Sequence, residues 1–261
     1  ILIVEPAVAD SITGANWNRY VFRTSRNSSQ DAISNAAALG KPGVKIATIA
    51  PDYAYGHDGV AAFREALRGT GAELVFEEYA PKDTKDFTAH AQRLFDALKE
   101  QSGRKVIFVI WAGGGNPLGK IQAMDPGRFG VEMATGGNIL PAMAAYKALP
   151  GMEGATYYYY EIPKNPMNDW LVTEHQKRFG TPPDFFTAGG FAAASAVITA
   201  LRKTSGDTDA DALIKAMEGM SFETPKGAMT FRAEDHQAMQ DMYHFKIAVK
   251  DGVDWGIPEL V

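Results

Sequence analysis

One glycine-rich run has the spacing of a phosphate-binding loop. It reads Gly114-Gly-Asn-Pro-Leu-Gly119-Lys120 and follows an apolar segment. Such a loop needs backbone N–H groups around the phosphate and a Ser or Thr after the lysine to hold magnesium. Here Ile121 stands in place of that hydroxyl, and Pro117 lacks a backbone donor. The run therefore favours a strand-to-helix turn at a cleft over a nucleotide site.

The titratable side chains give little support for catalysis. The five histidines have neither HExxH nor another paired ligand spacing, and the chain has no cysteine, so no metal site is predicted. Asp235-His236 could serve acid–base chemistry, but such a pair is more typical of a surface turn. Glu77 and Glu78 alternate faces on a predicted strand, and no Gly-x-Ser-x-Gly elbow occurs. We expect no catalytic residue, no cofactor and no enzymatic activity.

Aromatic residues and glycines follow the apolar segments at the places where strands should end. These are Asp52-Tyr-Ala-Tyr-Gly56, Trp111-Ala-Gly-Gly-Gly115 and Thr135-Gly-Gly-Asn138. Flat apolar walls and exposed backbone N–H groups would hold a small carboxylate with an apolar tail. The competing interpretation is that Tyr55 and Trp111 only pack against the edge of the sheet.

A repeating order of strands and helices would position these segments. The predicted strands are 1–4, 44–49, 74–79, 106–111, 131–134, 156–160, 227–231 and 243–249. The predicted helices are 29–39, 56–68, 87–98, 117–124, 168–179, 185–204 and one that begins near 208. Apolar runs without alternation, separated by amphipathic helices, indicate a doubly wound parallel sheet from 44 to 160. Such sheets bind ligands at the carboxyl ends of their strands.

Composition narrows the class of protein. The 261 residues have a mass of 28.2 kDa, are 46% hydrophobic and carry a net charge of -5. A chain of this length favours two lobes, and no Lys/Arg run indicates nucleic-acid binding. Apolar runs such as Val106–Ala112 are far shorter than the roughly 20 residues of a spanning helix, so no membrane insertion is expected.

A linear series of short matches resembles the leucine/isoleucine/valine-binding-protein class of periplasmic solute-binding proteins of ABC importers. The resemblance covers the chain nearly from end to end, with the elements in the same order. The matching segments are Tyr20-Val-Phe-Arg-Thr24 with Gln30, Ile46–Ile49 before Asp52–Gly56, Lys85-Asp-Phe87, Gly180-Thr-Pro-Pro-Asp184, Ala192–Ala200, and Pro225-Lys-Gly227 with Phe231.

The resemblance implies an α/β protein with the type I periplasmic-binding-protein fold. Two doubly wound parallel-sheet lobes would be joined by a three-crossing hinge, with ligand in the cleft between them. Lobe I would comprise 1–41 and 163–240, and lobe II 42–162 and 241–261. Members of the family begin roughly a hundred residues earlier, so the first lobe would be incomplete at its N-terminus. The signal peptide of an exported protein would be absent from this chain, which opens on Ile1–Val4.

The family's ligand site can be carried over residue by residue. In the family, backbone N–H and hydroxyl groups of the loop matching 6–10 hold the ligand carboxylate, whereas here no hydroxyl occurs before Ser11. The acid that pairs with a ligand ammonium should lie at 136 or 137, where this chain has glycine. Either Asp10 replaces that acid, or the ligand has no α-amino group. The implied ligand-binding residues are Ala7, Ala9, Asp10, Tyr55, Trp111, Gly113, Gly136, Gly137 and Asn138.

The implied function is that of the extracytoplasmic solute-binding component of an ABC importer. Its ligand would be a branched-chain or aromatic amino acid, or a related small carboxylate or amide. We expect a periplasmic monomer whose partner is an inner-membrane ABC permease. One alternative is a ligand-sensing domain of the same fold that feeds a regulator or receptor, and another is an α/β small-molecule hydrolase.

Overall fold

The chain folds into two compact units. The computed structural model describes residues 1–112, 115–136 and 140–261. Unit 1 comprises Ile1–Asn27 and Tyr157–Met242, and unit 2 comprises Ser28–Thr156 and Tyr243–Val261. The chain passes between them after residues 27, 156 and 242.

The strands and helices alternate through unit 2, as the apolar pattern predicts. Among the described residues the elements are β1 Leu2–Val4, β2 Val21–Arg23, α1 Ser28–Leu39, β3 Val44–Pro51, α2 Ala54–Ala66, β4 Glu73–Ala80, α3 Thr88–Lys99, β5 Arg104–Val109, α4 Leu118–Ala123, β6 Val131–Gly136, α5 Leu140–Tyr146, β7 Glu153–Thr156, α6 Pro166–Phe179, α7 Phe185–Lys203, α8 Ala210–Met217, β8 Ser221–Thr224, β9 Gly227–Phe231, β10 Ala238–Met239, β11 Tyr243–Ala248 and β12 Ile257–Leu260.

Unit 2 is built on one mostly parallel sheet. Its described strands run in the order β12-β11-β7-β6-β5-β3-β4. The strands from β7 to β4 are parallel, whereas β11 pairs antiparallel with β7 and β12. Val106 and Phe108 pack with α1 and α2, and the alternating residues Ile107 and Val109 are buried as well. The sheet is therefore covered on both faces, which confirms the predicted α/β class.

Unit 1 is held by long helices around small sheets. Strands β1 and β2 are parallel, and β10, β9 and β8 form an antiparallel sheet. Helix α7 begins at the cap Asp184, whose carboxylate accepts from two backbone N–H groups. Among the described residues, α7 alone is long and apolar enough to cross a membrane. Its Ala192, Ala196 and Ala200 pack into the core of unit 1 beside Phe22.

Several boundaries differ from those predicted, including the lobe boundaries predicted after 41, 162 and 240, and two of the differences have a clear cause. The strand predicted at 156–160 lies instead at Glu153–Thr156, because the chain leaves the sheet there and the tyrosines at 157–159 are buried in unit 1. The helix α1, predicted within lobe I, belongs to unit 2, because its Ala36 and Leu39 pack against Phe63 of α2. Short apolar segments specify burial well, but they do not specify which core receives them.

Candidate functional site

The unit 2 sheet has a topological switch point between β3 and β5, at the side where its parallel strands have their carboxyl ends. The chain leaves β3 through α2 to reach β4 on one side, and then crosses back through α3 to β5 on the other side. The two strands are adjacent, with Ile49 opposite Val109. Connections that diverge in this way open a crevice at the carboxyl ends of the strands. The segments that contain Tyr55 and Trp111 leave from the two sides of that crevice.

Gly56 explains how Tyr55 comes to lie at this edge. A Cβ at position 56 would be 2.0 Å from the carbonyl oxygen of Pro51, the last residue of β3. Only glycine allows the first turn of α2 to approach the strand end so closely. Tyr55 in that turn is half-buried, and its ring centroid lies 6.0 Å from that of Tyr53. Tyr55 therefore lies shortly after β3, and its half-buried side chain is at the surface of unit 2.

Trp111 follows β5 at the same edge but is buried. Its exposed fraction is 7%, and its ring meets Phe87 edge-on at 5.3 Å. Part of its buried surface therefore packs against Phe87, directly before α3. Gly136 ends β6 opposite Ala155 of β7. The remaining predicted site residues of this unit, Gly113, Gly137 and Asn138, lie outside the described residues.

The predicted carboxylate loop lies at the surface of unit 1. Ala7 is exposed, whereas Ala9 and Asp10 are half-buried. A short turn, Asp10–Ile12, closes the loop, and the N–H of Ile12 donates to the carbonyl of Ala9 at 3.2 Å. This backbone hydrogen bond therefore holds the C-terminal end of the loop.

A fully buried guanidinium lies beneath this loop. Arg23 has no exposed surface, and its Nη1 donates to the carbonyl of Ala9 at 2.7 Å. Its Nη2 donates to Thr13 Oγ1 and its Nε to Gln237 Oε1, both at 2.6 Å. Sequence reasoning missed this role for Arg23 and did not single out Gln237. No local pattern could join them, because they are 214 residues apart.

Burial shifts the pKa values of Arg23, Lys226 and Glu5 in unit 1. Burial lowers the pKa of Arg23 to about 10, against the opposing charges of Asp10 and Asp235. Burial likewise lowers the pKa of Lys226 to about 8, and raises that of Glu5. The Lys226 ammonium donates to Gln240 Oε1 at 2.7 Å and lies 4.5 Å from the centroid of the Tyr157 ring. Arg23 remains protonated at neutral pH and places a positive charge directly under the loop.

In the pair Asp235-His236, the histidine is part of the core of unit 1 and the aspartate is partly exposed. His236 is fully buried, stacks on Phe22 at 3.8 Å, and its Nδ1 lies 3.0 Å from the carbonyl of Val21. Asp235 forms an ion pair with Arg232. Within residues 1–112, 115–136 and 140–261, no group of three His, Asp or Glu side chains could hold a metal ion.

Comparisons with known proteins agree with this architecture. A protein of Brucella melitensis, Leu/Ile/Val-binding protein homolog 6, is 28% identical over 96% of this chain and 64% of its own length. The chain thus spans less than two thirds of the curated relatives it matches. A crystal structure described as an ABC-type branched-chain amino acid transporter from Rhodopseudomonas palustris is 70% identical and has a TM-score of 0.92. The match covers 100% of this chain and 70% of that one.

A second solved structure carries a bound aromatic acid. It is a solute-binding protein of an ABC transporter from Rhodopseudomonas palustris, in complex with 3,4-dihydroxybenzoic acid. It is 30% identical with a TM-score of 0.80, over 99% of this chain and 70% of that one. The family model for periplasmic binding proteins matches residues 1–252. The chain therefore belongs to the periplasmic binding protein family.

Proposed function

We propose that the protein is the solute-binding component of an ABC importer and binds a small carboxylate with an apolar or aromatic body. The observation that carries the proposal is the pair of surfaces described above, each on its own unit. Unit 1 presents a loop backed by a buried cation, and unit 2 presents Tyr55 at a switch point. The first surface suits an anion and the second suits a flat apolar group.

Within this class we propose that the preferred ligand lacks an α-ammonium group. Buried without a carboxylate partner, an ammonium would cost several kcal/mol to desolvate. The family's acidic position falls on Gly136 or Gly137 in this chain. Asp10, the remaining candidate acid, already interacts electrostatically with Arg23. The solved relative that binds 3,4-dihydroxybenzoic acid supports aromatic acids as the first compounds to test.

Delivery to a permease in the inner membrane, a periplasmic location and a monomeric state belong to the same proposal. Their support is membership in the family and the ABC-transporter descriptions of the relatives. Turnover of the ligand would instead favour the hydrolase alternative, so each bound compound should be recovered and identified by mass spectrometry after binding.

The proposal is tested by calorimetric titration of the purified protein with a panel of ligands. The panel contains benzoate, 3,4-dihydroxybenzoate, leucine and phenylalanine, and each carboxylate is matched with its amide. We expect the aromatic carboxylates to bind most tightly and to be recovered unchanged. Failure of every carboxylate to bind would contradict the proposed function, and preference for leucine would contradict the absence of an ammonium.

Tyr55→Ala is the variant that tests the aromatic surface. Loss of one ring wall should weaken binding about tenfold or more. The matched control is Tyr53→Ala, which removes a neighbouring tyrosine with a 37% exposed side chain that is not a predicted site residue. Equal effects of the two variants would remove Tyr55 from the site.

A further inference from the structure

We propose that the buried Lys226 ammonium anchors the unit 1 ends of all three crossing segments, so that conformational change in the crossings is confined to the few residues beyond the anchor. Lys226 is then a positioning residue, because it acts through the segments that it holds. Only the expected effect on ligand affinity rests on the proposed function.

Each crossing segment contributes a residue to one cluster around Lys226. The crossings follow residues 27, 156 and 242, and Thr24, Tyr157 and Gln240 each lie within three residues of one of them. Lys226 Nζ donates to Gln240 Oε1 at 2.7 Å and lies 4.5 Å from the centroid of the Tyr157 ring. Gln240 Nε2 donates to the carbonyl of Thr24 at 3.2 Å. One ammonium group thus joins three segments that are far apart in the sequence.

The turn that carries Lys226 is itself held in place. Pro225 and Lys226 connect β8 to β9, where Thr224 pairs with Gly227. The N–H of Lys226 donates to Thr224 Oγ1 at 3.0 Å, and that hydroxyl donates to the carbonyl of Gly227 at 2.7 Å. Asn165, the cap of α6, donates through Nδ2 to the carbonyl of Pro225 at 3.1 Å. The ammonium therefore extends from a turn whose own hydrogen bonds restrict its movement.

The charge of Lys226 is compensated inside unit 1. The residue is 5% exposed, and burial lowers its pKa to about 8, against the raising effect of the Glu5 carboxylate. The ammonium form therefore prevails at pH 7, and the hydrogen bond, the aromatic ring and the nearby carboxylate all stabilise it. Glu5 Oε2 in turn accepts from Thr24 Oγ1 at 3.1 Å. The compensating charge is thus bonded to one of the anchored segments.

On the unit 2 side, other elements hold the crossings. Thr156 ends β7 opposite Tyr243, the first residue of β11, and Ser28 begins α1. Between these elements and the anchor lie only 25–27, the peptide that links 156 to 157, and 241–242. Hinges are a few residues at the ends of elements that absorb changes in φ and ψ. Anchors at both ends leave such changes to these short links.

The test is hydrogen–deuterium exchange of the ligand-free protein at pH 7, with wild type compared with Lys226→Met. Methionine keeps a long apolar side chain, but it neither donates to Gln240 nor carries a charge. We expect exchange to become about tenfold faster in peptides that span 22–28, 154–159 and 238–243, and to change less than about twofold in peptides from α7 and α8.

The matched control is Ile214→Val, which removes a methyl group from α8 in the core of unit 1. The cavity that it leaves lowers the stability of unit 1 as a whole. It should therefore speed exchange in α7 and α8 at least as much as at the crossings. If Lys226→Met gives this same pattern, Lys226 only contributes to the core and the anchor is overturned.

Two single contacts keep the test decisive if Lys226→Met fails to fold. Gln240→Leu cuts the link to Thr24, so it should speed exchange in 22–28 and 238–243 but not in 154–159. Tyr157→Leu should do the reverse. If neither folded variant changes exchange at its own crossing, the anchor is overturned.

The effect on ligand affinity is measured by calorimetric titration with 3,4-dihydroxybenzoate at pH 7. Loosened crossings must be ordered again when ligand binds, which costs entropy. Lys226→Met should therefore bind about three- to tenfold more weakly than wild type, and Ile214→Val within about twofold of it. Equal affinities of wild type and Lys226→Met would overturn the influence of the anchor on binding. If wild-type protein binds no carboxylate, the proposed function fails, whereas the exchange patterns still decide for or against the anchor.

Discussion

In unit 2, Glu153 on β7 is a buried carboxylate, and the nitrogens of three side chains approach it. The nitrogens of Arg104, Lys246 and His244 lie 2.9, 3.1 and 3.3 Å from its oxygens. In unit 1, Arg23 is fully buried, and its described hydrogen-bond partners are neutral oxygens. The first arrangement cancels charge through bonded ions, whereas the carboxylates of Asp10 and Asp235 act on Arg23 without a described hydrogen bond to it.

This contrast separates two uses of a buried ion. The Glu153 carboxylate forms ion pairs with Arg104 and Lys246 and has a low pKa. Its charged form therefore stabilises the folded state relative to the unfolded chain. The Arg23 guanidinium, whose pKa is about 10, keeps its proton near neutrality and fixes the positions of the oxygens that accept from it. The free energy of unfolding should therefore depend on acid pH through Glu153, whereas Arg23 should contribute no change between pH 5 and pH 8.

The largest expected effect lies in the apolar core of unit 2, away from either charge. Phe63 has no exposed surface, and its ring centroid lies 4.5 Å from that of Phe108. Phe63→Ala should lower the free energy of unfolding by about 3–5 kcal/mol, because a cavity is left in the core. Urea denaturation followed by circular dichroism measures this. The control Phe179→Ala removes a ring that is 67% exposed in unit 1, and a similar loss there would contradict the assigned core.

The next effect tests the ion cluster of unit 2. Burial acts to raise the pKa of Glu153, but hydrogen bonds from His244, Lys246 and Arg104 outweigh it and lower the pKa to about 2. The ordinary value is 4.5, so the unfolded chain binds the proton more readily. The resulting stabilisation, about 3 kcal/mol, is complete above pH 4.5 and is lost as the pH falls toward 2. Glu153→Gln should remove it at neutral pH and flatten the acid limb of the stability curve.

Glu132→Gln is the matched control for that variant. Glu132 bonds to the same Arg104 at 2.7 Å, but its side chain is 55% exposed. Water screens the pair, so the variant should lower the free energy of unfolding by about 1 kcal/mol at most. Equal losses in the two variants, measured by urea denaturation between pH 3 and 7, would show that burial of Glu153 does not matter.

The smallest effect tests the polar centre of unit 1. Gln237→Leu removes the acceptor of Arg23 Nε and the amide that donates to the carbonyls of Ser25 and Ala238. We expect a loss of about 2 kcal/mol in the free energy of unfolding. Unlike the loss in Glu153→Gln, it should be the same at pH 5 and pH 8, because Arg23 stays protonated in both. A loss that changes between pH 5 and pH 8 would contradict the expectation that the charge of Arg23 is constant in this range.

Much of the fold could be predicted from local pattern. The apolar run at 44–49 lies within β3, and the run at 106–111 overlaps β5. The helices predicted at 56–68 and 87–98 correspond to α2 and α3. Tyr55 could be placed after the first of these strands because the motif before Gly56 is contiguous. Periodic burial is a property of neighbouring residues, and so it is visible in the sequence.

What stayed hidden depends on contacts between distant segments. The assignment of α1 to unit 2 required its packing against α2, and the end of β7 at Thr156 required knowing where the chain leaves the sheet. The burial of Trp111 against Phe87 likewise follows from how α3 returns to the sheet. Each of these outcomes depends on contacts between segments that are far apart in the chain, and only three-dimensional packing decides them.

The sequence by itself determined the α/β class and the place of Tyr55 directly after a strand, because these depend on periodicity and on short contiguous motifs. The expectation of two lobes came from the chain length and from the resemblance to a family. Only the tertiary structure brought Arg23 and Gln237 together beneath the loop at 7–10, across a separation of 214 residues. A buried polar network depends on the exact direction of a few hydrogen bonds, and those directions exist only once strands from both ends of unit 1 lie side by side.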